Sequence, residues 1–260
     1  MHVRRVTAFV GSARKRHTYH AALQFLDGLK ALGGVEYEIV ALSDHHLGVC
    51  RGCRACMDKG EEWCPLKDDR DMLIEKIMAS DGVVFATPNY SFQVSAIMKI
   101  FLDRIGFAFH RPRFFGKTST NIVAQGIYGG DKIVKYLDFV GYGLGFNTVK
   151  GSCIRSLEPV TEKRQKATQQ TLAKHSKRFH ERLMGPAYPA PTFMDLMIFR
   201  MARQSIRLML DEGSRDHTYY KDKGWFESDF YYPARLGVTK KLAGSLFDSI
   251  GARMYRQRPA

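Results

Sequence analysis

No run of 18 apolar residues occurs anywhere in the 260-residue chain, so no segment reads as a membrane-spanning helix. Cysteine is scarce, with five in all. Four of them, Cys50, Cys53, Cys56 and Cys64, fall within fifteen positions, which is not how a disulfide framework is spread and fits a reducing compartment. Neither Gly-x-x-x-x-Gly-Lys nor Gly-x-Gly-x-x-Gly is present, which argues against a triphosphatase loop and against a Rossmann pyrophosphate turn. There is no His-Glu-x-x-His, and no Ser/His/Asp or Cys/His set stands at a readable spacing, so a hydrolase is unsupported. Internal repeats and low-complexity tracts are missing too. So is an apolar leader, because Met1-His2-Val3-Arg4-Arg5-Val6 runs straight into a strand-like stretch; a soluble cytoplasmic protein is expected.

What is present is a globular composition, 45% hydrophobic and 25% charged, with apolar mass enough for a core. The formal charge is +14, and it is uneven: residues 1–150 carry 20 basic and 15 acidic side chains, residues 151–260 carry 20 and 11. Such a surplus favours an anionic partner, either a phosphorylated cofactor, a nucleic acid or an acidic membrane surface; a solvated basic face is the plain alternative. Nucleic acid is the least expected of these, because no reading helix or aromatic single-strand platform stands out.

Over the first 155 residues, short apolar runs alternate with helical spacing, the pattern of a parallel sheet covered on both faces. Five strands are expected, at Val3 to Val10, Val35 to Leu42, Gly82 to Thr87, Thr118 to Gln125 and Thr148 to Ile154. Between them lie the stripes Ala22, Phe25, Leu26, Leu29 and Leu32; Met72, Leu73, Ile77 and Met78; Ile97, Ile100, Phe101 and Ile105; and Ile133, Val134, Leu137 and Val140. A charged closing helix runs to about Met184, and the Gly185 to Pro191 stretch then breaks regular structure. The expected domains are therefore residues 1–185 and a helical, aromatic-rich extension at residues 186–260. In the extension, Arg200, Arg203 and Arg207 share one side of a helix over Thr192 to Leu210. Packing against the core or a second subunit is favoured for that helix over contact with an anionic bilayer. The aromatic run around Tyr231-Tyr232 either walls a partner's site or pins the tail.

Three loops converge on the carboxyl edge of this sheet. The first, Gly11-Ser12-Ala13-Arg14-Lys15-Arg16-His17-Thr18, puts small, hydroxyl-bearing and cationic residues at a helix N-terminus, which suits a phosphate. An ordinary capped turn is the competing reading. The second, Thr87-Pro88-Asn89-Tyr90-Ser91-Phe92, can set an aromatic beside a planar ring, and the third, Gln125-Gly126-Ile127-Tyr128-Gly129-Gly130, offers backbone N–H groups. Ligands of open α/β sheets bind at this edge, where the winding reverses.

On these residues the chain resembles the NADPH-dependent FMN reductase and flavodoxin-like quinone reductase superfamily over about residues 3–155. The resemblance rests on Gly11-Ser12-Ala13-Arg14 with Thr18, on Cys50-Arg51-Gly52-Cys53 leading to Cys64 and Asp68-Asp69, and on Thr87-Pro88-Asn89-Tyr90 followed by Lys99 to Arg104. It implies a flavodoxin-like three-layer α/β/α sandwich with strand order 2-1-3-4-5. It also implies that Ser12, Arg14, His17 and Thr18 hold the FMN phosphate, that Thr87, Pro88, Asn89, Tyr90, Ser91 and Phe92 lie along the isoalloxazine, and that Gln125, Gly126, Tyr128, Gly129 and Gly130 close over it. Asp103 and Arg104 read as structural, as a buried ion pair or a contact across a dimer. Arg16-His17 stands where a small polar residue is more usual, and the resemblance does not extend over residues 186–260.

The spacing Cys-x2-Cys-x2-Cys-x7-Cys can wrap one metal centre, and it resembles the iron-sulfur flavoproteins of the same superfamily, which would make Cys50, Cys53, Cys56 and Cys64 ligands of a [4Fe-4S] cluster. Zinc and bare thiols stay open as alternatives. Cys153, at a strand end, reads as a small buried hydrophobe.

The expected function is an FMN oxidoreductase that takes hydride from NAD(P)H and passes electrons to a quinone, a flavin or another small acceptor, as a homodimer or higher oligomer. Flavin chemistry of this kind needs no protein acid or base, so no catalytic side chain is assigned. The alternatives are an iron-sulfur flavoprotein moving single electrons and, from another class, a non-catalytic binding or sensing module.

Overall fold

A computed structural model describes residues 3–256. Chain contacts divide it into two compact units, the first comprising the residues up to Arg51 together with Leu66–Ala187, and the second Gly52–Pro65 together with the residues from Tyr188. Cys50 falls in the first unit, and Cys53, Cys56 and Cys64 in the second.

In the first unit, β1 (Arg4–Val10), α1 (His17–Ala31) and β2 (Val35–Ala41) open the chain. In the second, α2 (Ala55–Asp58) is a single turn within the cysteine segment. The first unit resumes with α3 (Arg70–Met78), β3 (Gly82–Pro88), α4 (Ala96–Arg104), β4 (Thr118–Gln125), α5 (Gly130–Gly143), β5 (Asn147–Thr148), β6 (Ser152–Arg155) and α6 (Glu162–Met184). The sheet is wholly parallel, in the order β2-β1-β3-β4, with β5 and then β6 against β4. This is the expected flavodoxin-like order with one correction: the fifth strand is two strands. The Val149 N–H still donates to the Ser119 carbonyl at 2.8 Å, but the Val149 carbonyl takes the Thr120 hydroxyl and the Gly151 N–H goes to Asp138 Oδ1 (3.0 Å), which also accepts the Asn121 amide at 2.7 Å, so side chains interrupt the ladder there.

The central strands β3 and β4 are buried on both faces along their whole length. On one face Phe25, Leu26 and Leu29 of α1 and Leu172, Phe179 and Leu183 of α6 pack on Val6, Val84 and Ile122. The two helices approach closely because Gly28 faces Ser176, where a Cβ would come within 2.8 Å of Oγ; that hydroxyl donates to the Phe25 carbonyl at 2.9 Å. Gly33, at φ +87°, ends α1. On α4 the buried face is Met98, Phe101 and Leu102, not the Ile97 and Ile100 side of the expected stripe. Arg104 does form a buried ion pair, but with Asp68 (2.7 Å), while Asp103 pairs with Lys99 at the surface.

The second unit holds α7 (Phe193–Met209), α8 (Arg215–Asp222) and α9 (Val238–Arg256). A Thr192–Asp195 capping box starts α7. Arg200 and Arg203 are buried, and both hold Asp248 of α9, at 2.7 and 2.6 Å, so two of the three arginines at helical spacing bind helix to helix and are not a solvated basic face. Phe199, Trp225 and Phe230 gather about Tyr231, and Tyr232 Oη donates to the Pro189 carbonyl, so the aromatic run packs within this unit. Within this unit Glu61, from residues 52–65, lies 3.9 Å from Arg215. No described helix is long and apolar enough to cross a membrane.

Candidate functional site

The first loop is shaped by crowding at its start. A Cβ on Gly11 would come within 2.7 Å of Met98 Cβ, so only glycine lets β1 run this close to α4. Ser95, which caps α4, donates its hydroxyl to the Gly11 carbonyl at 2.5 Å and accepts the N–H of Met98, while its own N–H donates to Thr87 Oγ1 at 3.0 Å. One serine thereby fixes the β1 loop to the β3 loop. Beyond it, Ser12 donates to the Arg14 carbonyl at 2.8 Å and folds the loop back over the start of α1. No side chain caps that helix and no acid lies in its first turn, so its leading N–H groups and its positive end are left to face an anion.

The second loop is strained. Tyr90 and Gln93 exchange two backbone hydrogen bonds at 3.0 Å around Ser91 and Phe92, which adopt φ of +50° and +64°. Two non-glycine residues in the left-handed region cost on the order of 1–2 kcal/mol each. Such strain gathers at ligand sites. Here it lifts Tyr90 and Phe92 above the sheet edge, each more than half exposed. Asn89 is placed by its N–H on the Ala124 carbonyl and by its side-chain amide on the Tyr128 carbonyl (3.0 Å); its buried Oδ1 has no partner. A buried acceptor left open is a polar vacancy for a ligand N–H or O–H.

In the third loop, Gln125 Oε1 accepts the Gly130 N–H at 2.7 Å and closes the turn into α5. Gly129, at φ +90°, passes so near Phe92 that a Cβ would sit 2.7 Å from its ring, and Phe92 stacks obliquely on Tyr128 with centroids 5.2 Å apart.

A cavity of about 320 Å³ opens between these loops. Of the residues singled out from sequence, Ser12, Arg14, His17, Thr18, Pro88, Asn89, Tyr90 and Gly126 line it. Thr87 and Gln125 do not; they hold the loops. Ser91, Phe92, Tyr128, Gly129 and Gly130 do not line it either. Four lining residues escaped the sequence reading: Arg16, Ala124, Ser156 and Glu158. The last two come from the turn after β6, and Glu158 accepts from His17 at 2.9 Å across 141 positions of sequence. Nothing local signals that pairing. A cationic, hydroxyl-bearing end, an unspent helix N-terminus and an unpaired amide oxygen fit a phosphorylated ligand with a polar ring edge.

The cysteines present a different picture. Cys50 and Cys53 are exposed, Cys56 and Cys64 half-buried. Four thiols are a suitable donor set for an iron-sulfur centre. Among the described residues, however, no three Cys, His, Asp or Glu side chains are gathered as a metal-ion site. Cys153 lines no part of the cavity between the three loops, and burial pushes its thiol up to about 12.

The sequence profile of the NADPH-dependent FMN reductase family matches residues 4–156. An iron-sulfur flavoprotein of Archaeoglobus fulgidus is 30% identical over 237 residues, covering 85% of this chain and 99% of its own length. Among solved structures, RosB with bound 8-demethyl-8-formylriboflavin-5'-phosphate aligns with a TM-score of 0.53 at 14% identity, over 90% of this chain and 92% of its own. The NAD(P)H:quinone oxidoreductase from Methanothermobacter marburgensis aligns at 0.53 and 15%, over 67% and 98%. At such identities the two structures attest the fold.

Proposed function

As a member of the NADPH-dependent FMN reductase family, the chain is an FMN-dependent oxidoreductase, and we propose that it carries electrons from NAD(P)H to a small acceptor such as a quinone or a free flavin. Bound FMN supplies the chemistry, taking up hydride and giving up electrons. The protein's part is to bind, orient and shield. The observation that carries the reading is the cavity between the three loops, with an uncapped α1 at one end and the open Asn89 Oδ1 on its wall.

In this reading Ser12, Thr18, Arg14 and the N–H groups at the start of α1 take the phosphate, with His17 beside them and oriented by Glu158. Asn89 offers its amide oxygen to the polar edge of the ring. Pro88 and Tyr90 flank the ring, Gly126 gives it backbone, and Phe92 and Tyr128 shelter its rim. No side chain is asked to move a proton. The test is anaerobic titration of flavin-loaded protein with NADPH and NADH, followed by an acceptor screen. Bleaching of the flavin bands and their return on adding quinone is expected; a flavin that neither coenzyme bleaches overturns the reading.

The cysteine spacing favours a second reading, in which Cys50, Cys53, Cys56 and Cys64 bind a [4Fe-4S] centre and the acceptor is a one-electron protein partner, as the name of the Archaeoglobus relative suggests. Iron and acid-labile sulfide in anaerobically purified protein decide it. A homodimer belongs to either reading and is checked by light scattering.

A further inference from the structure

A helix packed in a folded chain normally buries its large apolar side chains, and α9 does the reverse. The residues it buries are Gly244 and Gly251. A Cβ on the first would come within 3.2 Å of the Arg200 guanidinium, and one on the second within 3.1 Å of the Gln204 side chain, so α9 lies on α7 by its smallest residues. Its large apolar side chains are turned out: Val238, Leu242, Leu246, Ile250 and Met254 are all exposed, from 76% at Val238 to 41% at Met254. At a spacing of four they make one ridge, which spans 16 residues or about 24 Å of helix. A contiguous exposed apolar strip of this kind marks a contact surface.

The polar groups of α9 suit an apolar phase with anions at its border. Lys241, Arg253 and Arg256 are exposed, while Lys240 is used by the Pro191 carbonyl. Ser245 and Ser249 donate their hydroxyls to the Lys241 and Ser245 carbonyls one turn back, at 3.3 and 3.0 Å, so their protons are already spent within the helix. The one acid of α9, Asp248, is taken by Arg200 and Arg203. Of the unit's other acids, Asp195 serves the Thr192 cap, and Glu227 and Asp229 pair with Arg207 and Arg200. Asp211, Glu212, Asp216 and Asp222 belong to α8 and the turn before it, and Asp58, Glu61 and Glu62 to residues 52–65. Two copies laid ridge to ridge would therefore set Lys241, Arg253 and Arg256 against their like, with no acid of α9 to receive them.

We propose that α9 docks the protein on an anionic phospholipid surface, with the Val238 to Met254 ridge at the acyl boundary and Lys241, Arg253 and Arg256 on the headgroup anions. No described helix is long and apolar enough to cross a membrane, so the helix lies in the plane of the interface. Apolar burial and the attraction of the three cations add to one another there, and neither is available to the helix in water. This goes beyond the flavin reading and does not rest on it, because every residue lining the cavity between the three loops belongs to the other unit.

The test is co-sedimentation of the full chain with vesicles of phosphatidylcholine alone and of phosphatidylcholine and phosphatidylserine in equal parts. Binding to the mixed vesicles only, weakened by added salt, is expected. Leu242→Gln and Leu246→Gln, at exposed positions, should each lower the partition constant about tenfold. Lys241→Gln and Arg253→Gln should each lower it about fivefold, the share of one cation near an anionic surface. All four variants are expected to keep the wild-type melting temperature. No binding to the mixed vesicles, or binding that the four variants leave unchanged, overturns the proposal. So does an oligomer that the leucine variants dissociate in light scattering, which would give the ridge to a second copy. Polyglutamate bound as tightly as the mixed vesicles, and equally well by the leucine variants, would point to an acidic protein and overturn it too.

Discussion

Arg104 donates to Asp68 at 2.7 Å with both side chains almost wholly buried, their exposures 2% and 3%. The same carboxylate accepts the N–H of Gly48 at 2.9 Å and that of Arg70 at 3.3 Å, so one acid ties the chain on both sides of the cysteine segment to the end of α4. Removing either partner strands a buried charge, and Asp68→Ala is expected to cost about 3–5 kcal/mol in urea unfolding. Burial pushes the Asp68 carboxyl up, but the Gly48 N–H and the Arg104 guanidinium outweigh it and hold the group below the usual carboxylate range. Its stabilisation is therefore complete above the unfolded value near about 3.9 and is lost as pH falls through the lower folded value. Asp68→Asn should be less stable at neutral pH and should lack that part of the acid loss; equal stability at neutral pH would refute the assignment.

Ser95 joins two of the three site loops, and its hydroxyl is the link. Ser95→Ala leaves the Gly11 carbonyl and the Met98 N–H without their partner, at a cost of about 1–2 kcal/mol of the size seen for lost helix caps. The expected signature is a lower melting temperature together with a larger FMN dissociation constant in fluorescence titration. A drop in melting temperature with unchanged flavin affinity would show that the serine stabilises α4 without shaping the site.

The sequence made the strand framework legible where burial is uniform. β4 runs from Thr118 to Gln125 as expected, because all eight of its residues are buried and turn residues bound it. It did not show the face of α4, since apolar residues surround much of that nine-residue helix and no single stripe stands out. Two of the loops were readable from Gly11, Pro88 and Tyr90, whose types are unusual at strand ends. Glu158 and Ser156 were not, because their place in the cavity depends on how β6 pairs with β4 and on where α6 returns. Likewise, Arg104 was recognisably structural, but its partner lies 36 positions away, while the adjacent Asp103 pairs with Lys99.

The thiols should differ sharply in reactivity. Cys50 and Cys53 are exposed, whereas burial pushes Cys153 up to about 12, with the Asp131 carboxylate adding to the shift. The thiolate is the reacting form. In metal-free native protein at pH 8, brief iodoacetamide treatment is expected to label Cys50 and Cys53 and to spare Cys153, read by peptide mass spectrometry. Early labelling of Cys153 would contradict its placement against the sheet, and protection of Cys50 and Cys53 only in iron-replete protein would favour the cluster reading.

His175 supplies the clearest pH signature. It is fully buried on α6, its ring 4.6 Å from that of Phe25, and its Nε2 lies 2.6 Å from Thr120 Oγ1. Thr120 already donates its one proton to the Val149 carbonyl at 2.9 Å, so its oxygen accepts here and Nε2 carries the hydrogen. Nδ1 is then the bare nitrogen, and it has no partner. Burial, with a smaller contribution from Arg178, lowers the ring to about 3. A proton thus binds the unfolded chain first, and stability is full above the unfolded value of about 6.5 and declines as pH falls from there toward 3. The decline attributable to this one group is about 1.4 kcal/mol per pH unit. Urea unfolding between pH 6.5 and 4 should show this slope in the wild type and lose it in His175→Phe, whose ring also packs on Phe25 but does not titrate. The variant pays for an unpaired Thr120 acceptor, so its stability at pH 7 is expected to be lower even as its dependence on pH flattens. An unchanged slope would place the titrating group elsewhere.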